Sequence, residues 1–511
     1  MSAGSLPAWL RPLPDAETMR AIDRWAIEER AIAGLDLMER AGAGVARLVD
    51  EVAPEGPVAI VCGKGNNGGD GYVAARLLRE GWREVRVLAL APLEELRGDA
   101  RANAERVEGA VPFEPEALAG AAVIVDAVLG TGFAGAPRGT AAQAIEAMNA
   151  AAAPVVAVDV PSGVDASTGQ VEDVAVRATA TATFAAPKPG LWINPGKACA
   201  GAVHVVDIGI PAGAPVPDPG VGLIDDDVLL ATLPRRGAGW TKFTSGHVLV
   251  AGGSRGLTGA PLMASEAAAR AGAGYVTACV PETLQDVFAA RLVEVMTRAL
   301  PEGDAGAHSE AGIDAVLEAA QRGGALVLGP GIGRSDGARA FARGAARRAE
   351  VPLVLDADGL NAHAGDLAAL RARSAPAVLT PHAGELGRLL GVESSEVEAR
   401  RLEHSRVAAA AAQAVVVLKG DDTLVAEPGG LVAVSPGATG ALATAGTGDV
   451  LSGVIGALLA RGVDAFAAAA AGVRLHARAG IRAAADRGAD GVIARDVIEE
   501  LPHAWPAQDG R

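Results

Sequence analysis

The sequence predicts an α/β protein of two domains, each built on a mostly parallel sheet, and three observations carry that expectation. Short β-branched runs, apolar at every position, alternate with runs of apolar residues at helical spacing along nearly all 511 residues. Strands buried on both faces and helices buried on one face produce that alternation. A stretch with four prolines, PAGAPVPDPGVG from Pro211 to Gly222, interrupts it and reads as a stiffened linker. On each side of the break a glycine-rich loop ending in aspartate lies between a strand-like and a helix-like run.

In chain order, a helix is expected at Asp15 to Arg30, with Met19, Ile22, Ala26 and Ile27 on one face and Asp15 as N-cap. Strands follow at Val58 to Cys62, Val85 to Leu90, Val123 to Val125, Val155 to Val158 and Val203 to Val206, with helices at Asp70 to Glu80 and Thr140 to Ala151. Beyond the linker the strands are His247 to Ala251, Tyr275 to Val280, Ala325 to Leu328, Leu353 to Leu355, Ala377 to Leu379 and Val415 to Leu418. The expected limits are 1–213 for the first domain, 214–223 for the linker and 224–511 for the second domain. No fixed-period repeat makes the halves duplicates.

With 50% apolar and 21% charged residues the chain can bury large cores. A net charge of −16 argues against a nucleic-acid partner, because phosphate backbones are bound by clustered Lys and Arg. Cys62, Cys199 and Cys279 show no CxxC spacing, which implies neither a disulfide framework nor a zinc site and fits a reducing cytoplasm. No run of 18 apolar residues and no basic start with an apolar core occurs, so no membrane is expected.

The first loop, GKGNNGGDG from Gly63 to Gly71, satisfies GxGxxG after a strand. The acidic residue that a dinucleotide fold places at the end of its second strand is missing, since VRVLAL ends on Leu90, Ala91 and Pro92. On the glycines alone the loop is equally a close-packing turn. Its neighbours add chemistry: Asn66, Asn67 and Asp70, then Asp126 in VDAVLGTG, then Asp159 and Ser162 in VDVPSG. Hard oxygen donors at the carboxyl ends of parallel strands suit a ligand or a hard cation. The second loop, GTGD from Gly446 to Asp449, opens a run with Val450, Leu451, Val454, Ile455, Leu458 and Leu459 at helical spacing. Its N–H groups can hold a transferring phosphoryl group and Asp449 can take a proton from an attacking hydroxyl, although GTGD alone is also an Asp-capped turn. The mimic of a Walker A loop at Pro195-Gly196-Lys197-Ala198 lacks both the spaced glycine and the Ser or Thr. GPGIG, TPHAGE and LKGDDT each follow a buried strand.

GKGNNGGDGYVAARLL, VDAVLGTG, VDVPSGVDASTG and FAAPKPGL resemble the successive signatures of the NAD(P)H-hydrate epimerase domain, over about the first 210 residues. The resemblance implies a Rossmann-like three-layer α/β sandwich that interconverts the R and S forms of a hydroxyl at C6 of the reduced ring. In it Asn66, Asn67, Gly68, Gly69 and Asp70, with Gly130, Thr131, Gly132, Phe133, Ala134, Gly135 and Ala136, would bind the hydrated dinucleotide. Asn67, Asp126 and Ser162 would hold K⁺, and Asp159 would contact the substrate as the acid or base near C6.

AGGSRGLTGAP, EAAARAGAGYV, DADGLN and TPHAGE, together with GTGD, resemble the ribokinase-like family. Within it they are most similar to the ADP/ATP-dependent NAD(P)H-hydrate dehydratase, over roughly Ile224 to Leu501. The resemblance implies a ribokinase-like α/β domain using ADP or ATP with Mg²⁺. Ala260, Gly331 and His382 would contact the hydrate, Lys419, Gly420, Asp421, Asp422, Thr423 and Gly448 the adenine nucleotide, and Asp449 the hydroxyl of the hydrate. Two departures stand out: Thr241-Lys242-Phe243 where the family has His-Lys-Gly, and Asp421-Asp422 where it has a small pair. His476, in VRLHARAG, is expected to be structural. The function implied is repair of NADH-hydrate and NADPH-hydrate, with ADP giving AMP and phosphate, by a homo-oligomer. The alternative is a ribokinase-like kinase of a hydroxylated vitamin precursor beside a non-catalytic N-terminal binding domain.

Overall fold

The computed structural model describes residues 6–217, 219–232, 239–303 and 306–506. The chain divides into two compact units, one containing Pro12–Gly222 and the other Pro7–Arg11 with the chain from Leu223 onward. The expected linker ends in a strand, Val221–Ile224, which neighbours Leu10–Pro12 in the sheet of the second unit.

The first unit is built on seven parallel strands in the order Val111–Pro112, Val85–Ala89, Val58–Cys62, Val123–Ala127, Val155–Val158, Ala180–Phe184 and Ala202–Val206. The chain winds outward in one direction from Val58–Cys62 and in the other from Val123–Ala127. The order therefore reverses between these two strands, where a parallel sheet opens its ligand crevice. Asp15 caps the first helix, Ala16–Glu28, accepting from Thr18 N at 2.8 Å, as a short carboxylate at that position should. The helix after Val58–Cys62 begins at Asn66 rather than Asp70. Most of the glycine-rich loop is thus the first turn and a half of a helix pressed onto the sheet. A Cβ on Gly68 would lie 1.9 Å from Gly63 O, and one on Gly71 2.6 Å from the Ala127 Cβ.

The second sheet has eleven strands. From Val415–Leu418 through Ala377–Leu379, Leu353–Leu355, Ala325–Leu328, His247–Ala251 and Tyr275–Pro281 to Met296–Leu300 it is parallel, and Leu424–Ala426 and Val432–Val434 continue it antiparallel. Its order reverses between His247–Ala251 and Ala325–Leu328. Helix Thr447–Ala460 is buried nearly all round. It packs so closely that a Cβ on Gly453 would lie 2.1 Å from Ala264 O.

Candidate active sites

A cavity of about 840 Å³ opens over the crevice of the first sheet. Asn66, Asn67, Asp70, Gly130, Thr131, Gly132, Phe133 and Asp159 line it, as expected, while Gly68, Gly69, Ala134, Gly135 and Ala136 do not. Gly68 and Gly69 are buried against the protein, where a Cβ on Gly69 would meet Met38 at 2.6 Å. Ala134, Gly135 and Ala136 form an exposed turn. Gly68, Gly69 and Gly71 serve packing, while Gly63 and Gly65 line the cavity beside the loop's side chains.

Asp159, at φ 66°, follows strand Val155–Val158. Its carboxylate accepts from Lys188 Nζ at 2.6 Å and Thr131 Oγ1 at 2.5 Å. Lys188 is 1% exposed and also donates to Thr183 Oγ1 and Phe184 O, each at 2.8 Å. All three ammonium protons are therefore engaged. Burial alone would raise the Asp159 carboxyl, but Lys188, with Thr131 and Phe184 donating, holds it below its ordinary value. The sequence offers Asp159 as an acid or base, and its surroundings favour the ionised form. Lys188 lies in FAAPKPGL, four residues beyond strand Ala180–Phe184, which alternates Ala and Thr and lacks the apolar run that marks the others.

Two other carboxyls face the same cavity. Asp70 is buried and pushed well above its ordinary value by desolvation and by the charges of Asp159 and Asp23. Asp23, on the first helix, is raised by burial, with Lys188 pulling against it.

Asp126 and Ser162 are hydrogen-bonded to each other, and Asn67 stands beside Gly130, where a Cβ on the glycine would lie 2.7 Å from Asn67 Oδ1. Asp126 is fully buried, accepting from Ser162 Oγ at 2.5 Å, Ser162 N at 2.8 Å and Val128 N at 3.2 Å. Burial pushes it up to about 6 against these neutral donors. The Asn67 side-chain amide nitrogen is buried without a hydrogen-bond partner. A buried carboxylate without a cationic partner and a hydroxyl offer hard oxygens that fit a monovalent cation; the unpartnered Asn67 nitrogen is a donor, so Asn67 could ligate one only through Oδ1.

In the second unit Gly446, at φ 93°, caps helix Thr447–Ala460 and places Asp449 in its first turn. The helix N-terminus favours a carboxylate, yet burial and the charges of Asp356 and Glu385, with Lys419 opposing, push Asp449 up to about 7. Lys419 Nζ lies 3.2 Å from Asp356 Oδ1 and 3.7 Å from Glu385 Oε2. Burial opposes its charge, but these carboxylates outweigh burial and raise it. Ser452 Oγ donates to Asp356 Oδ2 at 2.7 Å. A Cβ on Gly448 would lie 3.4 Å from Lys419 Nζ, so the lysine reaches the GTGD turn. Asp356, Glu385 and Ser452 were not singled out from the sequence; the first two sat in DADGLN and TPHAGE, and only the fold turns them onto Lys419.

Gly331 lies beside Ala260, where a Cβ on the glycine would be 3.5 Å from the alanine Cβ. His382 caps helix Ala383–Leu390, its Nδ1 accepting from Gly384 N at 3.0 Å while Glu385 Oε2 accepts from His382 N at 2.9 Å. The outer ring nitrogen, Nε2, lies 3.6 Å from Glu385 Oε1, and 53% of the side chain is exposed. In LKGDDT, Thr423 Oγ1 donates to Gly420 O at 2.7 Å and closes a tight turn. Asp421 is exposed. Asp422 is 1% exposed and points inward, accepting from Arg401 Nε at 2.9 Å. Its side chain faces Arg401 and not a nucleotide, contrary to its expected place among the nucleotide ligands. His476 is buried behind the loop and hydrogen-bonded to the Thr447 backbone; burial lowers it to about 4, in keeping with a structural role.

Among the described residues no cluster of three or more His, Cys, Asp or Glu could hold a metal, and no helix is long and apolar enough to cross a membrane. Residues 248–503 match the family model of the NAD(P)H-hydrate dehydratase, and residues 34–190 match that of the YjeF-related protein N-terminus. The chain is 42% identical over 441 residues to a bifunctional NAD(P)H-hydrate repair enzyme of Moorella thermoacetica, covering 83% of each. It is 41% identical over 459 residues to that of Salinibacter ruber, covering 84% of each. The crystal structure of the ADP/ATP-dependent NAD(P)H-hydrate dehydratase of Bacillus subtilis with ATP/Mg²⁺ is similar to 55% of the chain, over 97% of its own length, at 30% identity and a TM-score of 0.47.

Proposed function

The chain belongs to the bifunctional NAD(P)H-hydrate repair enzymes, and we propose that its two sites divide the work by the protonation of one carboxylate in each. Asp449, half-buried and poised at about 7, carries this reading: a base must be free of its proton near working pH to accept one from a hydroxyl. In the second unit Asp449 takes the C6 hydroxyl proton as that oxygen attacks the terminal phosphorus of ADP or ATP. The GTGD amides and Lys419 sit where charge develops on the phosphoryl oxygens. Phosphate then leaves C6, pushed by the ring nitrogen, and loss of a C5 proton restores the dihydropyridine. Mg²⁺ spreads phosphate charge in such transfers and is commonly held through the phosphates with one or two carboxylates. The lack of a metal cage among the described residues supports its arriving with the nucleotide.

In the first unit Asp159 remains an anion and Asp70 keeps a proton. Asp70 protonates the C6 hydroxyl, which leaves as water. The ring nitrogen becomes a cationic iminium whose charge Asp159 stabilises, and water returns to either face, giving a proton back to Asp70 as the hydroxyl re-forms. Asn67, Asp126 and Ser162 would hold K⁺, whose charge would offset the buried Asp126. The free cysteines support a reducing cytoplasm. The reading of a vitamin kinase with a non-catalytic N-terminal module is disfavoured, since the relatives align across both units as bifunctional enzymes.

The test is to incubate the protein with mixed R and S hydrate and follow dihydropyridine absorbance with ADP, ATP or neither. Nucleotide-dependent recovery of both epimers is expected; accumulation of a phosphorylated product would overturn it.

A further inference from the structure

A second hollow, of about 200 Å³, lies in the second unit among the loops that follow Ala325–Leu328, Leu353–Leu355 and Ala377–Leu379. Arg334, Arg339, Arg388, Asp358 and Asn361 line it, and Arg339 is paired with Asp336 outside the lining, which leaves Arg334 and Arg388 beside one carboxylate. Arg334 Nε donates to Asp358 Oδ1 at 3.1 Å, and Arg388 Nε to Asn361 Oδ1 at 2.9 Å. Asn361 Nδ2 also donates to Asp358 Oδ1 at 3.3 Å, and Gly333 N to Asp358 Oδ2 at 3.2 Å. Two arginines are therefore anchored by their inner nitrogens. Among the described residues the outer Nη edges of Arg334 and Arg388 meet no protein acceptor. An anchored guanidinium with a free outer edge matches the oxygens of a phosphate.

The hollow adjoins the proposed hydrate site. Gly333 is two residues beyond Gly331, and Arg388 stands on the helix that His382 caps. No residue of GTGD or of Lys419–Thr423 lines it. It is smaller than the roughly 300–1,000 Å³ that whole small ligands occupy, so it takes a terminal group of a longer molecule.

We propose, resting on the hydrate-dehydratase reading above, that this hollow binds the phosphate monoester that distinguishes NADPH-hydrate from NADH-hydrate and makes the second unit prefer the phosphorylated form. A monoester is a dianion with three free oxygens at a chain end. The pyrophosphate common to both substrates is flanked by sugars on both sides and must enter and leave any site that holds it.

Titrate the full chain with NADPH and with NADH by dihydropyridine fluorescence, for wild type, R388K and the double variant R334Q/R388Q, and measure KM for both S hydrates. Both substituted side chains are exposed, and all variants share the N-terminal cavity, so differences between them isolate this hollow. Wild type should bind NADPH at least roughly tenfold more tightly than NADH, from charge-assisted contacts. The double variant should bring the two within about twofold by weakening NADPH alone, R388K should fall between, and added salt should narrow the gap. Equal wild-type affinities, or parallel loss for both cofactors in the double variant, would overturn the assignment. Because the titration needs no turnover, a protein that discriminates NADPH but dehydrates neither hydrate would keep this inference and sink the functional reading.

Discussion

The two sites use the same ingredients, aspartates and a lysine at the carboxyl ends of parallel strands, and shift the proton affinity of one aspartate in opposite directions. In the first unit Lys188 sits 2.6 Å from Asp159 and spends its other protons on Thr183 and Phe184, so Asp159 is held as an anion. In the second unit Lys419 is shared between Asp356 and Glu385. Asp449 is left with their negative charges and only part of the lysine's field, and rises to about 7. Where a lysine is spent decides whether a neighbouring aspartate stabilises a cation or moves a proton.

The largest effect expected is on the proton-moving side. Asp449→Asn should lower nucleotide-dependent dehydration by roughly 10²- to 10⁴-fold, the worth of a general base, while R/S interconversion stays intact. Separate assays of the two reactions on one preparation check it, and near wild-type dehydration would break the contrast at its stronger end.

The next concerns the paired side. Lys188→Met leaves Asp159 buried without its cation, and removing one partner of a buried pair costs about 3–5 kcal/mol. The denaturation midpoint should fall, and adding Asp159→Asn should recover part of the loss. Additive losses would mean that the pair carries no mutual stabilisation.

A third, smaller effect tests the cation. The folded value of Asp126, about 6, lies above its ordinary 3.8. The folded state therefore holds the proton more tightly between about pH 4 and 6, and without a cation its stability declines as pH rises through that window. Potassium should raise Tm more at pH 7.5 than at pH 5, and more than sodium does. Equal shifts at both pH values would detach the ion from Asp126.

The smallest change sharpens the electrostatics of the second site. Glu385→Gln keeps the amide oxygen that accepts from His382 N but removes a charge that raises Asp449. The ascending limb of the dehydration pH profile should move to lower pH by under about one unit. An unmoved limb would assign the shift to burial and Asp356 alone.

Strands His247–Ala251, Ala325–Leu328, Leu353–Leu355, Ala377–Leu379 and Val415–Leu418 are legible residue for residue, because a strand buried on both faces is apolar along nearly all its length, His247 being the exception. Ala180–Phe184 escapes, since its Thr181 and Thr183 are buried yet polar, satisfied by Ala200 O and by Lys188. The same omission hides Lys188. Motifs bring Asn66, Asn67, Asp70 and Asp449 to their sites. Pairing is not in the motif: Asp422 looks like a nucleotide contact in LKGDDT, but Arg401, 21 residues earlier, claims it. Asp356 and Glu385 become neighbours of Asp449 only when three strand ends converge.

The most direct test of the contrast is a pair of pH–rate profiles, dehydration and epimerisation, on one wild-type sample with purified S and R hydrate. Dehydration should rise through about pH 7 as Asp449 loses its proton, whereas epimerisation, which relies on an anionic Asp159 and a protonated Asp70, should show no rise there. A dehydration rate flat from pH 6 to 8, or a shared ascending limb in both profiles, would contradict the account.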